Sequence, residues 1–131
     1  MKRELEQQLI EKYPKLFGDY GKSPMESCMA FGCDCGDGWY EILARLCASL
    51  EKYEDDVVFA QIKEKFGGLR VYFNGAPKEI FDDVCKIIDD AEEESYKVCE
   101  GCGKEGKLYD RGWWRVHCQA CEEKYQARFS K

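Results

Sequence analysis

The sequence predicts an α+β protein: two long helices packed on a small antiparallel sheet, followed by a C-terminal treble-clef-like zinc module. Three observations carry this prediction. Two segments place apolar residues at helical spacing, Trp39, Ile42, Leu43, Leu46, Cys47 and Leu50 in one and Ile80, Val84, Ile87, Ile88 and Ala91 in the other. Between them, "DVVFAQIKEKF" and "LRVYFN" are rich in β-branched and aromatic residues and begin to alternate apolar with polar positions. Past residue 96, two Cys-x-x-Cys pairs bracket a short basic insert that carries two tryptophans.

Taken in order, residues 3–12 form a short helix in which Leu5 and Leu9 share a face and which Pro14 ends. "LFGDYGKSP" is a loop, and "MESCMAFGCDCGDG" has no clear period. Asp37 is placed to cap the first long helix, its short acceptor meeting the first unpaired N–H groups. The two strands are joined at Gly67–Gly68, read as a two-residue turn because glycine takes positive φ without steric cost. On the return strand Leu69, Val71 and Phe73 face one side and Arg70 and Tyr72 the other. "GAP" breaks the chain, and residues 78–96 form the second long helix with "DDAEEE" near solvent.

Composition narrows the class. The chain has 131 residues, enough to bury a core without disulfides. No run approaches the ~18 apolar residues of a membrane span, and the charged amphipathic start lacks the apolar stretch of a signal peptide. A cytoplasmic protein with mostly reduced cysteines is expected, and nine cysteines is an odd number for a closed disulfide framework. Charge is unevenly spread. Residues 1–96 hold 12 Lys/Arg against 21 Asp/Glu, and residues 97–131 hold 8 against 5. An acidic body (1–96) with a mildly basic module (97–131) argues against tight, non-specific binding of DNA by the whole chain.

Cys99, Cys102, Cys118 and Cys121 match the C-x₂-C-x₁₅₋₂₀-C-x₂-C spacing of a four-thiolate zinc site. Each pair turns two sulfurs toward one point, and two pairs complete a closed tetrahedron that Zn²⁺ accepts. The short tail cannot sustain a core alone, so one structural zinc is the expected cofactor. Four thiolates leave no open position for water, which argues against catalytic zinc. A thioredoxin-type redox pair would need a βαβ setting that the pattern lacks. A knuckle at "CEGCG", a hairpin over "KLYDRGWWRVH" with its turn near Asp110–Gly112, and a last Cys pair opening a helix suggest a treble-clef-like order rather than a zinc ribbon. His117 is read as a strand residue rather than a fifth ligand. Cys28, Cys33, Cys35 and Cys47 lack standard metal-ligand spacing, and free thiols are the stronger reading.

Two further groups are candidates for binding. Arg111, Trp113, Trp114 and Arg115 lie on the finger hairpin. Arg with Trp is the usual composition of an interaction hot spot, and Trp can also stack on bases. Successive tryptophans on a strand would point to opposite faces, one packed and one free. Lys63, Lys65 and Arg70 cluster near the tip of the first hairpin as a basic hook for an anion or partner, although a solvated face that blunts an edge strand explains them as well. No Ser-His-Asp, His-Glu-x-x-His, Gly-x-Ser-x-Gly or P-loop pattern occurs, and a single histidine leaves acid–base chemistry poorly provisioned.

Together "GDGW" at 36–39, "IKEKFGGLRVYF" at 62–73 and "CEGCG…GWWRVHCQAC" resemble a family of small uncharacterised proteins of bacteria, prophages and phages with a Lys-x-Lys-Phe-Gly-x-Leu-Arg hairpin motif and a C-terminal four-cysteine finger. The resemblance spans about residues 25–121. Cys33 departs from the pattern, which carries only the cysteine matching Cys35. The resemblance implies no assigned activity. Small size, a closed metal site and the lack of a catalytic set lead to the expected function. That function is a non-enzymatic protein acting through a host or phage protein partner, as an accessory that modulates or inhibits a host system. The alternatives are a nucleic-acid-binding finger and a small-nucleotide or anion binder using Lys63, Lys65 and Arg70.

Overall fold

The computed structural model describes residues 1–129. The fold is α+β. Helix α1 (Arg3–Lys12) comes first, then strand β1 (Cys33–Asp34), helix α2 (Tyr40–Leu50), strands β2 (Val57–Lys65) and β3 (Gly68–Gly75), and helix α3 (Lys78–Ser95). The finger follows as β4 (Lys107–Tyr109), β5 (Arg115–His117) and α4 (Gln119–Ala127). Among the described residues there are two sheets, one ordered β1-β2-β3 and one made of β4 and β5. Among the described residues no helix is long and apolar enough to cross a membrane.

The apolar stripes of the sequence meet in one core. Trp39, Ile42, Leu43, Leu46, Cys47 and Leu50 are all buried, as are Val84, Ile88 and Ala91, with Ile80 and Ile87 packed at the margin. From α1 the core receives Leu9, followed by Tyr13, Leu16 and Phe17. Strand β2 carries a bulge between Phe59 and Gln61. The extra residue resets the two-residue alternation, so Val57, Phe59 and Ile62 all reach the core.

Several local expectations are corrected. The larger sheet is mixed, because β1 pairs parallel with β2, Cys33 opposite Ile62; a two-residue strand is too short to show any period. The long helices do not both lie on this sheet. Helix α3 packs on β3, while α2 packs mainly on α3. Asp37 does not cap α2: a 3₁₀ turn (Asp37–Trp39) precedes it, and Asp37 Oδ1 accepts from the Lys2 backbone N–H at 2.7 Å. The first hairpin turns one residue earlier than expected. Lys65 pairs with Gly68, which leaves Phe66 and Gly67 as the turn, both at positive φ (53° and 84°). That is the conformation a two-residue hairpin loop needs. Phenylalanine enters it at a cost of about 1–2 kcal/mol, and Glu64 Oε2 braces the turn by accepting from the Gly67 N–H at 2.7 Å.

Gly68 sits beneath Tyr96, where a Cβ would fall 2.4 Å from the tyrosine oxygen. The free edge of β3 is covered at the same point, since the Leu69 N–H donates to Ser95 Oγ at 3.0 Å at the end of α3.

A four-cysteine centre and the cleft beside it

Cys99, Cys102, Cys118 and Cys121 converge, with all four sulfurs within 4.8 Å of one another and Cys102 Sγ 3.5 Å from Cys118 Sγ. A tetrahedral metal with thiolate bonds of ~2.3 Å places its sulfurs ~3.8 Å apart, so the cluster fits one ion. Local structure makes the cluster. The Cys99 N–H donates to Lys104 O at 2.7 Å, and the Gly103 N–H returns to Cys99 O at 2.9 Å, closing a knuckle whose last glycine has φ 84°. Cys118 is the N-cap of α4 and its sulfur accepts from the Cys121 N–H at 3.4 Å. That donor holds the Cys118 thiol down to about 7, favouring the thiolate a metal needs. Gly101 leaves room for the second pair, since a Cβ there would lie 3.1 Å from Cys121 Sγ.

His117 stays outside the cluster. Its Nδ1 is 3.0 Å from Glu122 Oε1. Among the described residues, Cys28, Cys33, Cys35 and Cys47 form no second group of metal-holding geometry. Cys28 is exposed, while Cys33, Cys35 and Cys47 are buried and burial pushes their thiols up, Cys33 to about 12.

The knuckle rests on the "GDGW" segment. The Gly38 N–H donates to Glu100 O and the Gly36 N–H to Glu100 Oε2, both at 2.8 Å, and Trp39 Nε1 donates to Val98 O at 2.9 Å. Glycine is required for contact this close. A Cβ at Gly38 would fall 2.1 Å from Cys99 O, and one at Gly36 would fall 2.3 Å from Glu100 O. Burial of Glu100 raises its carboxyl, and the Gly36 N–H opposes that shift. The cysteine knuckle is thus fixed to the start of α2 by backbone contacts, a use of Gly36 and Gly38 that spacing alone did not disclose.

Arg115 organises the finger from within. Its Nε donates to Glu122 Oε1 at 2.9 Å, Nη2 donates to Glu122 Oε2, and Nη1 reaches the carbonyls of Arg111 (3.1 Å) and Trp113 (2.8 Å). The guanidinium lies 4.1 Å from the Tyr125 ring centre and 5.3 Å from that of Tyr109. Arg115 in turn holds the Glu122 carboxyl down to about 2. The structure therefore places Arg115 inside the finger, buried, rather than on a binding surface. Arg111 is exposed and contributes its carbonyl to this arrangement.

The tryptophans do not sit on a strand. Tyr109 pairs with Arg115, so residues 110–114 form the hairpin loop and the alternation expected of Trp113 and Trp114 does not apply. Trp113 is 72% exposed and Trp114 45%. Both face the basic hairpin tip. Phe66 and Trp114 meet edge to face, ring centres 6.4 Å apart. Gly67 is pressed against the finger, where a Cβ would lie 2.7 Å from Leu108 Cδ1.

Between tip and finger lies a cleft of about 750 Å³. Lys63, Lys65 and Arg70 line one side, Trp113 and Trp114 the other, and Phe66 and Tyr96 complete the aromatic wall. The hairpin-tip candidates from the middle of the chain and the two finger tryptophans thus border one site, without Arg111 and Arg115. Phe66 and Glu64, which also border it, lie within the hairpin motif but were not singled out for binding, and Tyr96, at the end of the second long helix, carried no sequence signal. Arg70 is steadied by Glu92 (3.2 Å) and by Tyr96 (3.4 Å), and its Nε has no partner. Comparisons of this chain with protein-family models, with curated proteins and with solved structures return no match.

Proposed function

We propose that this is a non-enzymatic binding protein in which one structural zinc, held by Cys99, Cys102, Cys118 and Cys121, fixes a treble-clef-like finger against the body so that finger and hairpin tip enclose a binding cleft. The observation that carries the reading is the convergence of Lys63, Lys65, Arg70, Trp113 and Trp114 on one concave surface. Exposed tryptophans beside cations are the usual anchors of a protein interface, and a preformed cleft lets a partner's side chain insert without reordering the site. A closed four-thiolate centre favours a structural metal over a catalytic one. The one histidine is bound to Glu122, away from the cleft. The partner proposed is a host or phage protein. The resemblance to small bacterial and phage proteins supports an accessory role in modulating a host system.

The test is affinity capture from a bacterial lysate by the zinc-loaded protein, with nuclease present. A specific protein should be retained by the wild type and lost with Trp113→Ala and with Trp114→Ala. Retention of the same protein by both variants would refute the cleft as the working surface. A capture abolished by nuclease would replace the protein partner with nucleic acid.

A further inference from the structure

We infer that the cleft is a nucleotide site, taking a free nucleoside phosphate with its phosphate on Lys63 and Lys65 and its base on Trp113 and Trp114. The inference rests on the cleft being the working surface, though not on a protein partner.

The charges in and around the cleft have unequal freedom. Arg70 is already paired with Glu92 at 3.2 Å. Glu64 Oε2 is engaged by the Gly67 N–H at 2.7 Å. Lys63 and Lys65, by contrast, have no carboxylate within ion-pair distance among the described residues, and Lys65 lies only over the Phe66 ring, at 5.7 Å. The two lysines are two residues apart on β2, so both project from the same face of the strand at the cleft. Two ammonium groups that lack a carboxylate and border one concavity suit a phosphate.

The other wall answers a planar, uncharged group. Trp113, Trp114, Phe66 and Tyr96 border the same space. Trp113 is 72% exposed and has no ring partner among the described residues. A large aromatic side chain in that state offers a stacking face, which any base can use. An isolated anion would leave the aromatic wall without a role, and an uncharged aromatic would leave the lysines without one. A nucleotide uses both.

Size and long-range charge select the free nucleotide over a polymer. The cleft volume, about 750 Å³, falls in the range of small-molecule sites. Residues 1–96 carry 12 Lys/Arg against 21 Asp/Glu, so a polyanion leaving the cleft meets an acidic body rather than a basic track.

Purified zinc-loaded protein is titrated by calorimetry with ATP, AMP, adenosine and inorganic phosphate, and tryptophan emission is followed in parallel. Trp39 is fully buried, so quenching reports on Trp113 and Trp114. ATP and AMP should bind and quench, with adenosine and phosphate each weaker by about tenfold or more. Lys63→Ala/Lys65→Ala should erase the advantage of ATP over adenosine. Trp113→Ala should weaken ATP and adenosine alike, by about fivefold or more. Three results would each overturn the inference: no binding of ATP or AMP at millimolar concentration, ATP affinity unchanged in the double lysine variant, or a long oligothymidylate bound far more tightly than ATP. A protein partner captured without nucleotide binding would sink this inference alone. Nucleotide binding without any captured protein would instead sink the protein-partner reading.

Discussion

Replacing Gly38 by alanine tests whether the cysteine knuckle is built onto the body or merely tethered to it. The added Cβ would fall 2.1 Å from Cys99 O, 2.6 Å from Glu100 O and 2.6 Å from Gly103 N. All three are backbone atoms, so no side chain can rotate aside. Relief of the closest contact to a normal separation of ~3.5 Å moves the knuckle by about 1.4 Å. That shift breaks the Gly38 N–H bond to Glu100 O and strains those from Gly36 and Trp39. One neutral bond is worth about 1 kcal/mol and a bond to a carboxylate about 1.5–3 kcal/mol, so the expected loss is about 3 kcal/mol. Gly38 is not at positive φ, and the cost is therefore contact rather than backbone strain. Gly21→Ala provides the contrast: φ is 90° but nothing lies within 4 Å of its Cβ, and the expected loss is about 1 kcal/mol. Urea unfolding of the zinc-loaded proteins, followed by far-ultraviolet circular dichroism, supplies both numbers. A Gly38→Ala variant within about 0.5 kcal/mol of wild type would refute the docking argument.

The remaining predictions concern the finger and the thiols. Arg115→Lys keeps the charge but cannot reproduce the paired contact with Glu122 together with the bonds to two carbonyls, so it should destabilise the finger by about 2 kcal/mol, and Arg115→Ala by about 3–5 kcal/mol, in zinc-competition and melting measurements. A buried pair that could be cut with no change in either would contradict the inward placement of Arg115. In zinc-loaded native protein, iodoacetamide followed by peptide mapping should label Cys28 first and Cys85 more slowly. It should spare Cys33, Cys35 and Cys47, whose burial keeps them protonated. Fast labelling of Cys47 would show that the core is open.

Much of this was legible from residues whose environment repeats along the chain. The stripe from Trp39 to Leu50 and the one around Val84 and Ile88 predict helices because burial recurs every turn. The Cys-x-x-Cys spacing predicts the four-sulfur centre because ligand geometry is local to each pair. What was not legible depends on partners distant in sequence. Whether Phe66–Gly67 or Gly67–Gly68 makes the turn depends on the β2–β3 register, from Val57 opposite Gly75 to Lys65 opposite Gly68. Asp37 reads as a cap but is drawn to the Lys2 N–H. Arg115 has the composition of a binding anchor, and only Glu122 and Tyr125 on α4 reveal it as internal. The cleft itself has no sequence signature, because residues 63–70 and 112–114 meet only once the knuckle is seated on Gly36 and Gly38.

The most direct test of the account is the metal content of purified protein together with the response of the cleft to its removal. Purified protein should hold one zinc per chain, absent in Cys99→Ser/Cys118→Ser, and Trp113 and Trp114 emission should change when a chelator strips the metal. Metal well below one equivalent, or a chelated protein whose cleft tryptophans report no change, would contradict it.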